Sequence, residues 1–387
     1  MENNQKMAET YCLSPRDLLF FRDARPMDVD KTPEANYRPV GHGAHWPRPD
    51  HLFSAVIHTL IRNPEEPEEQ WYGKVTDLQV SPVLPFKAGE LYLPFPRDWS
   101  MESVRLPEVS CGLTDLPAPL TCGFLDKKPD KKRFPKWVTL SEYESYLKNE
   151  QPETPPEERQ ALYQTAVRNG ITLDAASGAS KVTEGKQSGR YQAEYLELKD
   201  GVTMLCTVNR SLEGVELRMG GAGGTVKVKA AAIDLNERLE KLPKGKPSNY
   251  VRWTLIAPAL FEKGWLPNWV NNEGKVMIPQ HRVLRKPGEK REDFRRRFQA
   301  ESTFFEHTRL VGVCLDKPES FSGYDSLKKE KPTQLLVPAG SVYLFECADE
   351  TEATALIKVL NLQRRSDLGE KGFGIGLCSY VEKPEQF

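Results

Sequence analysis

Ser341-Val-Tyr-Leu-Phe345, an apolar run, is followed by Ala353, Leu356, Ile357 and Leu360 and then by Gly369-Glu-Lys-Gly372-Phe-Gly374-Ile-Gly376. The four apolar residues fall at i, i+3, i+4 and i+7, the spacing of one helix face. Asp349 and Glu352 stand three apart ahead of them, as a helix N-terminus requires. Beyond the glycines, Ile375–Val381 reads as a strand. Strand, helix, glycine loop and strand make the second half of a ferredoxin-like unit. A loop with several glycines and with free N–H groups lets a phosphate backbone approach closely, so Lys371, Gly372, Phe373 and Gly374 are candidate phosphate-backbone contacts.

The same order begins near the N-terminus. Tyr11–Phe21 is strand-like, a polar loop carrying His42 and His45 follows, and a helix is expected from Asp50, as N-cap, through Leu52, Ala55, Val56 and Leu60. Prolines between Pro82 and Pro119 suit edge strands and irregular connections, because proline cannot donate to a central ladder. A charged insertion over 126–159, with a short helical stretch Leu140–Leu147, is expected to be peripheral. Gly170–Leu198 reads as a long hairpin with a polar tip holding Lys181 and Lys186, and Arg190 at the start of its return strand. Val202–Val208, Val215–Met219 and Thr225–Ala231 are further strands, the last two joined by Gly220-Gly-Ala-Gly-Gly224. A polar Lys/Gly/Pro stretch near 241–247 marks a domain boundary, and Tyr250–Pro258 opens the second half. The expected fold is therefore α+β, with residues 8–247 as a first domain and 248–387 as a second.

With 387 residues there is room for two domains, and 39% hydrophobic with 28% charged residues describes a polar globular chain. The apolar runs are too short to span a membrane, so no membrane partner is expected. Met1–Glu9 is polar and lacks the apolar core of a secretory leader. Seven scattered cysteines without a CxxC pair suit reduced thiols in the cytoplasm rather than a disulfide framework or a zinc ribbon.

Net charge is −1, yet Asp126–Lys136 carries six basic and two acidic residues and Arg282–Arg297 eight basic and three acidic. Neutral overall with basic islands fits a subunit that meets nucleic acid on one face and protein on others. Arg22 and Arg25, three apart after the first strand, can clamp phosphates or bases. His42 and His45, beside Trp46 and Arg48, can stack on bases or hydrogen-bond phosphates; no acidic residue or cysteine completes a metal set, and no metal or other cofactor is expected. Gly220 and Gly221 with Lys227 form a second glycine-and-cation site. No GxSxG, Walker or kinase motif is present.

Leu19-Phe-Phe-Arg22-Asp-Ala-Arg25-Pro26 resembles the FFRDGRP opening of the 5′-handle-binding subunit of type III-B (Cmr-type) CRISPR effector complexes, a RAMP-superfamily protein, with Ala24 in place of the usual glycine. Gly170-Ile-Thr-Leu-Asp174, Met219-Gly-Gly221, Ala257-Pro-Ala-Leu-Phe261, Gly264-Trp-Leu-Pro267, Ala339-Gly-Ser-Val-Tyr343 and Gly372-Phe-Gly374 continue the resemblance in order from about residue 11 to 380. Gly41–Arg48 and Arg282–Arg297 depart from the pattern. The resemblance implies two ferredoxin-like (RRM-like) RAMP domains with insertions and a long β-hairpin. It also implies a non-catalytic, crRNA-binding role: capping the 5′ handle and joining the backbone RAMP subunits to the large polymerase-like subunit. RAMP relatives that cut precursor crRNA with a histidine supply the alternative, a metal-independent endoribonuclease using His42 or His45 as general base.

Overall fold

A computed structural model describes residues 8–23, 40–61, 77–99, 121–122, 136–150, 161–171, 177, 190–281, 283, 285–286, 288–325, 329–330 and 332–383. Its first elements are β1 (Glu9–Pro15), β2 (Val40–Gly41), α1 (Pro49–Val56), β3 (Leu84–Lys87), β4 (Glu90–Pro94), β5 (Thr121–Cys122) and β6 (Trp137–Thr139). There follow α2 (Leu140–Leu147), β7 (Tyr163–Ile171), β8 (Arg190–Leu198), β9 (Val202–Val208), β10 (Glu216–Arg218), β11 (Thr225–Ala230) and α3 (Leu235–Glu240). After them come β12 (Tyr250–Leu255), α4 (Arg291–Glu301), β13 (Arg309–Cys314), β14 (Glu319–Phe321), β15 (Tyr324–Asp325), β16 (Lys329–Glu330) and β17 (Gln334–Leu336). The last are β18 (Val342–Glu346), α5 (Glu350–Leu360) and β19 (Gly376–Val381).

Contacts divide the chain into two compact units. The first comprises Met1–Glu90, Gln160–Leu235 and Ser320–Leu335; the second comprises Leu91–Arg159, Asn236–Glu319 and Leu336–Phe387. The break between halves thus falls at Leu235/Asn236 rather than after 247, and residues 91–159 go with the second unit.

In the first unit β11, β1, β9 and β3 lie side by side in that order, every neighbouring pair antiparallel, with β10 on the outer edge of β11. Taken in chain order the four strands sit as 4-1-3-2. Tyr11 and Leu13 of β1 and Met204, Cys206 and Val208 of β9 share one buried core with Leu217 and Val226, as period-2 alternation demands. α1 covers this core with Leu52, Phe53, Ala55 and Val56. Where a second covering helix would follow β9, the chain instead supplies Leu212, Leu217 and Met219 to the core around the β10–β11 hairpin.

Two details of α1 differ from expectation. Its N-cap is Arg48, not Asp50; the Arg48 N–H donates to His51 Nδ1 at 3.1 Å, while Asp50 lies in the first turn and accepts from Arg48 Nε at 3.1 Å. Pro49, with no N–H to satisfy, takes the first helical position. Past Val56 the backbone widens into a π-helical turn, Ile57–Ile61, which rotates Leu60 out to 38% exposure.

The second unit repeats the strand order. β19, β12, β18 and β13 lie side by side, all antiparallel, and β5 joins β13 in parallel. α5 forms where the sequence places it: Asp349 caps it by accepting from the Glu352 N–H at 2.8 Å, and Glu352 accepts in return from the Ala348 N–H. Ala353, Leu356, Ile357 and Leu360 face a core built on Trp253, Tyr343 and Phe345. The connection from β12 to β13 covers the core without a packed helix, through Phe261, Leu266, Val270, Val276, Ile278 and Phe305.

Residues 136–150 are not peripheral. Leu140, Tyr143, Tyr146 and Leu147 of α2 are buried, and α2 is capped by Thr139 and Glu142. The Arg252 guanidinium on β12 stacks 3.6 Å from the Tyr146 ring, donates to the Tyr146 carbonyl at 2.6 Å and to Ser379 Oγ, and pairs with Asp98 at 3.2 Å. Tyr146 Oη in turn donates to Asp98 at 2.7 Å and lies 2.8 Å from Thr254 Oγ1.

Leu52→Ala is expected to lower stability by about 2–5 kcal/mol, the cost of a cavity in a closed core, whereas Leu60→Ala changes it by less than about 0.5 kcal/mol. Denaturant melts of the two variants check the assignment; equal losses would contradict the rotation of Leu60 toward solvent.

Candidate nucleic-acid interface

The residues after β1 leave the sheet and are gripped from three sides. Leu19 exchanges backbone hydrogen bonds with Leu196 of β8, at 3.0 and 2.7 Å. The Gly221 N–H donates to the Phe20 carbonyl at 2.7 Å. The Ala44 N–H donates to the Phe21 carbonyl at 2.6 Å, the Asp23 N–H donates to the His42 carbonyl at 3.1 Å, and Arg22 bridges Gly43. Because β2 runs parallel to β8 through Val40 and Gly41, the first-strand exit, the histidine loop, the hairpin and the Gly220–Gly224 turn meet in one place.

Alternation sets the side chains. Phe21 is buried and stacks on His51, with ring centroids 4.7 Å apart, so Arg22 emerges exposed. Among the described residues Arg22 has no ion pair or hydrogen-bonded side-chain partner. His42 Nδ1 lies 3.1 Å from Glu194 Oε2, the two side chains being 34% and 28% exposed. Gly43 is required there, since a Cβ would stand 2.1 Å from the Glu194 carbonyl oxygen. Phe20 packs on Tyr195 at 5.3 Å, and the Arg168 guanidinium caps that ring at 5.5 Å. Asp17 takes a forked pair from Arg168; the Leu18 N–H first, and then Arg168, holds its carboxyl below the usual range. Asp17, Arg168, Glu194 and Tyr195 were not singled out in the sequence. The polar–aromatic alternation of β8 was the available signal.

Gly220 and Gly221 are exposed to solvent on one side and press against Phe20 on the other; a Cβ on Gly220 would come within 2.7 Å of the Phe20 carbonyl oxygen. Lys227 is exposed on β11, opposite Ser14 and Glu216 in the ladder. His45 is exposed. Arg25, Lys181 and Lys186 lie outside the described residues, and Arg190 is placed only as the backbone that begins β8.

Two expectations need correction. Arg48 is not an open phosphate contact: it is 8% exposed, pairs with Asp50 and lies over the Phe321 ring at 5.1 Å. The Gly369–Gly376 loop, in the second unit, is not an open cradle either. Phe373 is fully buried, and Gly372 and Gly374 are buried beside it. The N–H groups of Lys371, Gly372 and Gly374 donate to Leu368, Gly369 and Pro258, each at 2.9 Å. Gly374 has φ +65°, and a Cβ there would stand 2.1 Å from Ser366 Cβ. Only Glu370 is exposed, with Lys371 half-buried. These glycines let the chain pack on itself.

Among the described residues no group of three or more His, Cys, Asp or Glu side chains could hold a metal ion, and no helix is long and apolar enough to cross a membrane.

The chain carrying this candidate site is a subunit of a CRISPR effector, of the Cmr-type, RAMP-like class. The chain is a member of the CRISPR-associated protein family Cas_Cmr3, whose pattern it matches over residues 11–381. That span is the one over which the ordered motifs resemble the type III-B subunit. Among solved structures it is similar to a chain of the type III-B Cmr-beta complex bound to cognate target RNA, at 13% identity over 87% of this chain and 86% of that one, with TM-score 0.45. It is also similar to a chain of the Csm3-Csm4 subcomplex of the type III-A interference complex, at 14% identity over 87% and 92%, with TM-score 0.38. No curated protein matches it.

Gly43→Ala is expected to cost about 1–3 kcal/mol, since the clash is with backbone, and to separate His42 from Glu194; thermal melts and the His42 ring resonances report both. Burial of the His51 imidazole pulls its pKa from 6.5 down to about 4. The folded state therefore resists protonation. Its contribution is full above pH 6.5 and is lost as pH falls toward 4, by about 3 kcal/mol in total. His51→Gln flattens that part of the stability–pH curve.

Proposed function

We propose that this chain is the non-catalytic crRNA-binding subunit that caps the 5′ handle in a type III-B effector complex. In this reading it works in the cytoplasm, in antiviral defence. It joins the backbone RAMP subunits to the large polymerase-like subunit, and is built from two ferredoxin-like RAMP units. The observation that carries the reading is the convergence at Arg22. The FFR strand exit, the His42–Gly43 loop, the Gly220–Gly221 turn and the β7–β8 hairpin come together around an exposed guanidinium. Family membership supports it, and so does the 4-1-3-2 strand order, which both units have and which is that of a ferredoxin-like sheet.

Chemically, Arg22 offers a planar fork of donors to phosphate, and the glycine turn lets a sugar–phosphate backbone come close beside it. In this reading Arg25, Lys181, Lys186 and Arg190, singled out by the sequence, also bind the RNA backbone. Lys227 adds charge from the neighbouring strand.

One observation favours the alternative. A histidine whose Nδ1 is held by a carboxylate, as His42 is by Glu194, is oriented as a general base is, which suits a metal-independent endoribonuclease. The experiment separates the two readings. Labelled crRNA with and without its 5′ tag is mixed with purified protein, retention is measured, and the RNA is resolved on a denaturing gel. Tag-dependent retention of intact RNA is expected. It weakens about 10- to 100-fold in Arg22→Ala/Arg25→Ala, the loss of charge-assisted hydrogen bonds, and is unchanged in cleavage terms by His42→Ala. Products ending in a 2′,3′-cyclic phosphate, lost in His42→Ala, would establish the nuclease instead.

A further inference from the structure

α4 occupies a position in the second unit where a covering helix would serve the core, between β12 and β13, yet it has no buried residue. α1, at the equivalent point of the first unit, buries five. A helix with no buried residue gains little from tertiary packing and needs another reason to exist.

Its own contacts account for one side only. Arg297 is held by Glu289 at 2.8 Å and by Glu301 at 2.9 Å and lies over Phe294 at 5.6 Å. Phe294, Phe298 and Phe304 form an aromatic row with centroids 5.9 and 6.3 Å apart. The Arg285 guanidinium donates to the Glu289 carbonyl, closing the preceding turn. This braces the helix and uses two of its neighbouring carboxylates.

The other side is cationic. Lys290, Arg291, Arg295 and Arg296 are exposed, and among the described residues their side chains have no hydrogen bond or ion pair. Arg291 and Arg295 lie one turn apart on one face, about 5–6 Å between Cβ atoms. On a helical wheel Glu292 falls between Arg295 and Arg296, Asp293 lies about 60° beyond Arg296, and Lys290 sits nearer Phe294 and Arg297, so the cationic face is that of Arg291, Arg295 and Arg296.

We propose that this face of α4 is a second nucleic-acid contact, one that grips the sugar–phosphate backbone of single-stranded RNA without regard to sequence and separately from the Arg22 interface. The three cations of this face are arginines, whose weakly hydrated guanidinium forks suit phosphate. A protein partner fits less well, because protein interfaces are centred on apolar anchors, whereas Phe294 and Phe298 are half-buried and pack on one another and on Phe304. The inference rests on the reading of the chain as an RNA-binding subunit, and a probe without the tag separates the two.

The test measures fluorescence anisotropy of labelled oligouridylate lacking the 5′ tag across a salt series. Wild type, Arg22→Ala/Arg25→Ala and Arg291→Gln/Arg295→Gln/Arg296→Gln are compared. Glutamine keeps helix propensity, and with no buried residue in α4 the triple variant melts like wild type. Weak, salt-sensitive binding is expected, retained in the Arg22 variant and at least about tenfold weaker in the triple variant. With three phosphate contacts removed, the slope of log K against log salt falls by about 2. Unchanged binding in the triple variant, or no binding of oligouridylate by wild type, overturns the proposal while tag-dependent binding can still stand. If the triple variant keeps its RNA but loses other effector subunits on co-purification, the face is a protein contact and the proposal fails in that way.

Discussion

A guanidinium buried in the middle of a sheet must be surrounded by acceptors, and the second unit is arranged to do this for Arg252. Nothing on β12 itself can satisfy it. Asp98, the Tyr146 ring and carbonyl, and Ser379 come from three other stretches of chain. Removing one partner of such a pair costs about 3–5 kcal/mol, because an uncompensated charge is left in a poor dielectric. This is why residues 91–99 and 136–150 are integral to the unit built on β12 and β19 although a hundred or more residues separate them from it. Neighbouring contacts follow from that docking: Asn149 donates to the Tyr380 carbonyl, and Gly340 and Gly245 are glycine because backbone from residues 95 and 147 passes where a Cβ would be.

Glycine serves opposite purposes in the two units, and the difference is one of surroundings. At Gly374 and Gly376 the chain turns back on Ser366, Pro258 and Trp253, and missing Cβ atoms are filled by the protein's own groups. At Gly220 and Gly221 the turn presses on Phe20 from one side and meets solvent on the other. Only the second arrangement leaves backbone that another molecule can approach. A comparable division runs through the histidines. His51 is buried and kept neutral to stack on Phe21, whereas His42 is half-exposed and oriented by Glu194.

Much of the local structure was legible. The limits of α2 and β9 coincide with their sequence patterns, and α5 is capped by the residues that signal it, whereas β13 has no counterpart among the expected strands. The errors share a cause. Asp50 looked like an N-cap because it is a good capping residue, but Pro49 is best placed one step inside the helix, which moves the cap to Arg48. Leu60 continued the helical stripe in sequence, yet the π turn carries it off the core. The hairpin begins at Tyr163 rather than Gly170, since its first residues are held by pairing with β8 and not by apolar burial of their own.

The sequence by itself determined the alternation of strands and helices, the family to which the ordered motifs belong, and the presence of Arg22 at a strand exit, because each depends on spacing within a few residues. Tertiary structure decided which glycine turn is open, that the middle segment belongs to the second unit, that Arg48 is buried, and that Glu194 orients His42. Those outcomes depend on what lies opposite a residue in space, and contacts spanning more than a hundred positions leave no local periodicity to be read.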